Sequence, residues 1–303
     1  MTNLIWPDGD CIRLSAMTSI LPFDEVLHIC NQHARIKITS LHIDGTSITS
    51  QIYDFINAII AYYGIYWVFI SKCVLSDPTK LMSVVNNNLT LHGLYICRSG
   101  YIDDHDCMCI ADGLSNNTSL TSLHLDNNVI TNNGFKHIMK SMTINTSMKQ
   151  LYINCHTSDS TTASHLIETI PHIKSIRKLW LDPRYTGRAN EMCAALEKNY
   201  SIEQFNTRGF GSEYTDRIQG ICERNKYIKV AHRELLDIAF AFAPMILKYS
   251  CFDAYCMMWI FDYVNVANIH VREFKKIKII ESVFGFYRTK THDESSSATV
   301  LHS

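Results

Sequence analysis

The sequence predicts an α/β solenoid of short parallel strands alternating with helices, and two regularities predict it. An apolar residue recurs at Ile38, Ile65, Leu91, Leu120, Met148, Ile176 and Ile202, in steps of 27, 26, 29, 28, 28 and 26 residues. Three and five residues after each start stands a further apolar pair: Leu41/Ile43, Val68/Ile70, Leu94/Ile96, Leu123/Leu125, Leu151/Ile153 and Leu179/Leu181. That alternation is the period of a strand with one face buried. The second regularity lies ten and six residues ahead of each following start, at Phe55/Ile59, Leu81/Val85, Ile110/Leu114, Ile138/Met142, Leu166/Ile170 and Met192/Leu196. Apolar residues four apart share one helix face, so each period reads as a strand followed by a helix whose inner stripe packs on it. Periods of this length mark stacked units that bury their core only against their neighbours.

One period carries a fuller signature. Residues 120–134, LTSLHLDNNVITNNG, place Leu120, Leu123, Leu125, Asn128, Ile130 and Gly134 in the LxxLxLxxNxI pattern. The segment and its period resemble the leucine-rich repeat of the ribonuclease-inhibitor type, over about residues 38–225 and about seven repeats. The resemblance implies a right-handed horseshoe with a parallel concave sheet and convex helices. At the asparagine position the chain has Thr46, Cys73, Ser99 and Asn128, then His156, Arg184 and Phe210, so the loops of the later repeats are expected to depart from the standard turn. Ile218 and Cys222 read as a half-repeat closing the array.

A repeat array exposes an apolar end unless something covers it. Residues 1–37, with DCIRLSA and ILPFDEVLHIC, read as a degenerate strand and helix forming an N-terminal cap. Residues 226–290 turn purely helical in pattern, with helices at roughly 228–243, 254–264 and 270–284, and 291–303 reads as a disordered tail. AYCMMWIFDYV followed by FKKIKIIESV resembles the helical segment that ends repeat proteins of some protists and large DNA viruses. IFDYV also matches part of an F-box helix, although Phe252 and Asp253 stand where Leu-Pro is expected. That implies an alternative in which these helices dock a ubiquitin-ligase component.

Composition narrows the function classes. The 28 Lys and Arg nearly balance the 29 Asp and Glu, so no global field draws the chain to nucleic acid or to an anionic membrane. The eleven cysteines are scattered, and MTNLIWPDGD lacks the basic and apolar regions of a signal peptide. The expectation is reduced thiols in the cytoplasm, that of the host if the chain is viral. Asn88, Asn116, Asn117 and Asn145, in Asn-x-Ser/Thr triplets, then read only as polar turns. The most apolar region, 235–264, is cut by Asp237, Lys248, Asp253 and Asp262 and falls short of the roughly 20 residues a membrane span needs.

On the concave face, residues two, four and six past each start are expected to meet solvent or a partner. The middle row runs His42, Phe69, Tyr95, His124, Tyr152, Trp180 and Asn206, flanked by Trp67, Gln150, Lys178, Asp44, Asp126, Asp182 and Arg208. An aromatic stripe with charged rims points to a protein partner, and the binding residues are expected to be His42, Trp67, Phe69, Tyr95, His124, Asp126, Tyr152, Lys178, Trp180 and Asp182. His42/Asp44 and His124/Asp126 repeat a His-x-Asp pattern, but rows about 14 Å apart cannot share one metal shell. Asp103, Asp104, His105, Asp106, Cys107 and Cys109 have metal-binding atom types, yet they open a helix. No Walker loop, GxSxG, HExxH or paired CxxC occurs. The expectation is a monomeric, non-enzymatic binding module without cofactor or metal.

Overall fold

The positions that the periodicity assigns to the core are buried. In the computed structural model, which describes residues 4–8, 11–15, 37–97, 102–155, 160–181 and 187–248, the seven starts from Ile38 to Ile202 are at most 2% exposed. The strand pairs from Leu41/Ile43 to Leu179/Leu181 and the helix pairs from Phe55/Ile59 to Met192/Leu196 join them in one apolar cluster.

The chain begins with β1 (Leu4–Asp8) and β2 (Cys11–Ser15), followed by β3 (Ser40–Asp44), β4 (Ser47–Ile48) and α1 (Ser50–Tyr63). Next come β5 (Trp67–Ser71), β6 (Val74–Leu75), α2 (Pro78–Asn87), β7 (Gly93–Cys97) and α3 (Asp104–Asn116). β8 (Ser122–Leu125), α4 (Asn132–Met142), β9 (Gln150–Ile153) and α5 (Ser160–Thr169) continue the alternation. β10 (Lys178–Leu181), α6 (Ala189–Glu197), β11 (Gln204–Phe205) and α7 (Ser212–Lys248) complete it. The main sheet has the order β1-β2-β3-β5-β7-β8-β9-β10-β11, and β4 and β6 form a second, two-stranded sheet.

Among the described residues only β1 runs antiparallel, and all other pairs of the main sheet are parallel. Register follows the repeat, so that Leu41, Val68, Leu94, Leu123, Leu151 and Leu179 stand opposite one another in turn. β1 was not legible because LIWPD contains Pro7, which an edge strand tolerates since it need not donate on its outer side. The strand expected in DCIRLSA is β2; the helix expected in ILPFDEVLHIC, residues 20–30, lies outside the described residues.

Two turns recur and hold the units together. After the strand, the residue seven past the start takes a left-handed conformation: Gly45, Lys72, Asn127 and Gly209, at φ 65°, 51°, 57° and 89°. Asn128 then donates through Nδ2 to Ile96 O at 2.8 Å and Leu125 O at 3.0 Å. Two repeats earlier in the series, Cys73 does the same work with its thiol, donating to Ile43 O at 3.6 Å and Ser71 O at 3.1 Å. Ser99, His156 and Arg184 lie outside the described residues. In the last turn Asn206 takes over, donating to Leu181 O at 2.8 Å.

The second turn, from helix to strand, carries a hydrogen-bonded ladder where the sequence suggests only polar turns. Asn145 Nδ2 donates to Leu114 O at 2.7 Å and Asn117 O at 3.0 Å, both in the preceding unit, while Oδ1 accepts from Ser147 N and Met148 N. Asn199 bonds in the same way to Ile170 O and Ile173 O and to Ser201 N and Ile202 N. Asn225 extends it, donating to Asn199 O and Ile202 O. Ser119, Ser147, Ser175 and Ser201 hydroxyls each bond a carbonyl of the unit before. The last carbonyls of a helix have no partner within it, and here the next turn supplies one.

The chain divides into two compact units, Met1–Ala231 and His232–Ser303. In the first, Ile218 and Cys222 on α7 are buried in the core. No break separates them from the helix expected at 228–243: α7 spans both, since residues 221–231 contain no Gly or Pro. The helices expected at 254–264 and 270–284, the F-box-like segment and the tail lie outside the described residues. No helix among the described residues is long and apolar enough to cross a membrane.

Replacing Asn145 by Ala takes the side-chain acceptor from the Ser147 and Met148 amides in a buried turn, each costing about 1–3 kcal/mol when left unpaired, and removes one donor each from Leu114 O and Asn117 O, which keep Asn117 N and Ser147 Oγ. Partial relaxation leaves an expected loss on the order of 3 kcal/mol in denaturant unfolding. Asn116→Ala, at an exposed position next to the ladder, should stay within about 0.5 kcal/mol of wild type.

Candidate functional site

Because side chains alternate along a strand, residues four past each start point away from the apolar core. They form an unbroken stack of rings across six strands. His42 and Phe69 lie 4.2 Å apart between centroids, Phe69 and Tyr95 4.5 Å, Tyr95 and His124 4.1 Å, His124 and Tyr152 3.8 Å, and Tyr152 and Trp180 5.6 Å. Three of the five pairs are stacked, with interplanar angles of 16–19°. The register explains the row, since each of these residues is the Cα partner of the next.

The rings bury one another. From His42 to Tyr152 each is half-buried, and only Trp180, at the end of the stack, is exposed, at 43%. The inner rings therefore turn their edges outward, and Trp180 alone has a free face. Asn206, placed in this row by the sequence, is instead drawn into the adjoining turn by its bond to Leu181 O.

Beside the row, Trp67 leans over Gly93. A Cβ on Gly93 would come within 2.0 Å of Trp67 Cε3 and 2.3 Å of Cζ3, and the indole centroid lies 5.9 Å from Tyr95. Gly93 thus provides the slot in which the indole lies down. The significance of this glycine was not visible in the sequence; its cue is that it faces Trp67 in register.

His124 sits at the middle of the stack with its side chain 17% exposed. Burial pushes its pKa down from 6.5 to about 4, so the imidazole is neutral near pH 7. Asp126 Oδ2 stands 4.0 Å from Nδ1, too far for a hydrogen bond, and burial raises the Asp126 carboxyl above its ordinary range. His124 Nε2 and its strand neighbour Ser122 Oγ are buried without a hydrogen-bond partner among the described residues. Asp44, in the other His-x-Asp pair, accepts a hydrogen bond from Ser71 Oγ at 2.7 Å.

Charge is segregated along the strand ends. Asp44 and Asp126 lie past the rings on the side where the strands end, and Asp182 falls outside the described residues. On the other side, Lys149, Arg177 and Lys178 cluster at the starts of β9 and β10. Glu203 accepts from Arg177 Nη1 at 3.0 Å and pairs with Lys229 at 3.1 Å. Lys149 donates to Thr146 O at 3.1 Å, and burial, then Arg177 and Lys229, lower its pKa. Lys178 forms no ion pair among the described residues.

The acidic, thiol-bearing segment Asp103–Cys109 is the N-cap and first turns of α3. Asp103 accepts from Asp106 N at 3.0 Å while Asp106 Oδ2 accepts from Asp103 N at 3.2 Å, a reciprocal capping box. Asp104 accepts from Thr131 N at 2.8 Å and from its hydroxyl. Cys107 is fully buried, its thiol pushed far up by desolvation. Among the described residues no three His, Cys, Asp or Glu side chains converge as a metal shell.

Two measurements test this geometry. Gly93→Ala should displace the Trp67 indole, altering the near-ultraviolet circular dichroism and costing about 1–3 kcal/mol as an overpacking change; an unchanged spectrum and melt would refute the slot. His124 makes stability depend on pH. Above 6.5 its imidazole is neutral folded or unfolded; between 6.5 and about 4 the unfolded chain takes up a proton that the folded one refuses, so stability falls as pH falls, by no more than about 3 kcal/mol. Asp126 opposes this, because protonating its buried carboxyl relieves the folded state. His124→Phe keeps a ring in the stack and should flatten the melting temperature between pH 6.5 and 4.

No family model matches the chain, and no curated protein does. Among solved structures it is similar to Leiomodin-1 Actin-Binding Site 2, with 18% identity and a TM-score of 0.35 over 54% of this chain and 80% of that one. It is also similar to the C-terminal domain of tropomodulin from Caenorhabditis elegans, with 13% identity and a TM-score of 0.38 over 71% of this chain and 99% of that one.

Proposed function

We propose that the chain is a leucine-rich-repeat solenoid of the ribonuclease-inhibitor type that binds a protein partner on the ring row and catalyses no reaction. The observation that carries this reading is the continuous stack from His42 to Trp180, ending on an exposed indole. Rings that already stack are ordered before a partner arrives, so little side-chain entropy is lost on binding. Large aromatic side chains carry most of the energy of protein interfaces.

The residues divide by role. Trp180, with Tyr152 behind it, is the anchor. Phe69, Tyr95 and His124 form the floor and offer ring edges, which carry partial positive charge and suit carbonyl and carboxylate oxygens. Trp67 and His42 close the far end. Lys178, with Lys149 and Arg177 beside it, favours an acidic stretch of the partner near the anchor, while Asp126 and Asp44 repel one on the opposite rim.

Capture from a lysate of the source organism on immobilised protein, followed by affinity measurement with the purified partner, tests the reading. Trp180→Ala should melt like wild type and lose about 2 kcal/mol or more of affinity. Lys178→Ala should lose much less, and Lys140→Ala, on α4, nothing. A Trp180→Ala variant that binds in full would remove the ring row as the binding face. Tyr95→Ala differs in kind: its ring touches Phe69, His124 and Trp67, so its loss should lower stability as well.

A further inference from the structure

Four of the five Asn-x-Ser/Thr triplets of the chain stand in the helix-to-strand ladder: Asn88-Leu-Thr, Asn117-Thr-Ser, Asn145-Thr-Ser and Asn199-Tyr-Ser. In each the asparagine is buried, at 7%, 5%, 4% and 1% exposure. Both amide hydrogens of each have acceptors. Asn88 Nδ2 donates to Asn57 Oδ1 at 3.0 Å and Val84 O at 2.8 Å. Asn117 Nδ2 donates to Asn86 Oδ1 at 2.9 Å and Ser119 Oγ at 3.4 Å. Asn145 bonds Leu114 O and Asn117 O, and Asn199 bonds Ile170 O and Ile173 O. The hydroxyls of Ser119, Ser147 and Ser201 are engaged in the same ladder.

We infer that N-glycosylation at Asn88, Asn117, Asn145 or Asn199 is incompatible with this fold, so that the chain folds and works only where the oligosaccharyl-transfer machinery does not reach it. The reaction joins Nδ2 to the anomeric carbon of a lipid-linked oligosaccharide; the carbon–oxygen bond to the diphosphate breaks, the lipid diphosphate leaves with the electron pair, and one amide proton is lost. A modified Nδ2 keeps one hydrogen where the ladder uses two. The sugar must also occupy the space now held by an acceptor of the preceding unit, the Asn57 or Asn86 side chain for Asn88 and Asn117 and backbone carbonyls for Asn145 and Asn199. Acceptor triplets are modified on the unfolded chain as it emerges, before burial can protect them, so a glycosylating compartment would trap the units apart. The constraint holds whatever the ring row binds.

Cell-free translation of the full chain under reducing conditions tests this, with detergent-solubilised oligosaccharyltransferase and lipid-linked donor present during synthesis or added afterwards. Occupancy is read residue by residue by mass spectrometry, and folding by protease resistance. With enzyme present during synthesis, glycans should appear at one or more of the four asparagines, and those molecules should lose protease resistance. Added after folding, the enzyme should leave all four unmodified. Glycan on the folded protein at these positions, glycosylated molecules that stay protease-resistant, or no transfer in either order would each overturn the inference.

Discussion

The asparagine ladder at the helix-to-strand turns is the constraint on which the structure depends. A helix leaves its last carbonyls without partners, and in a stack of short helices this debt recurs at every unit. Asn145 and Asn199 settle it by donating back to the end of the preceding helix while accepting from the amides that open the next strand. One side chain thereby fixes where a helix stops, where a strand starts and how far apart two units lie. Where the series has Ile173 in place of asparagine, the serine bond common to the other units remains, Ser175 donating to Asn145 O, and the helix ends in a 3-10 turn at Ile170–His172.

The ring row is a consequence of that spacing. Parallel strands lie about 4.8 Å apart, and flat side chains standing on consecutive strands at this distance fit face to face. The observed separations of 3.8–5.6 Å scatter about the strand spacing. Stacking therefore needs no device beyond the register, and it makes the row rigid. It also couples the surface to the fold, since an inner ring is packed against two neighbours and Trp180 against one.

Much of the fold was legible because the core obeys a strict period, and burial of apolar side chains is a local, countable signal. The strands, the helices and the row from His42 to Trp180 follow from it. What escaped notice depends on pairs distant in sequence. Asn88, Asn117 and Asn145 look like loop residues until the carbonyls of the preceding unit are in place. Cys73 in an asparagine's role is invisible because a thiol is a weak donor that sequence patterns treat as apolar. Gly93 acquires meaning only when Trp67, 26 residues earlier in sequence, is set beside it. Half-burial of the inner rings was missed for the same reason: a side chain that faces away from the core was expected to face solvent, and its neighbours in the row cover it instead.

His124 shows how the two requirements meet at one residue. A phenylalanine or tyrosine would stack as well, without an orphaned Nε2 or the cost of excluding a proton. A buried polar atom without a partner costs free energy, and Ser122 Oγ, two residues away on the same face of β8, repeats the cost. Both lie on the face proposed to bind, and neither strengthens the core. A partner that brought a hydrogen-bonding group to this point would recover free energy that the uncomplexed protein forgoes, which is the direction in which binding surfaces, and not cores, depart from full satisfaction.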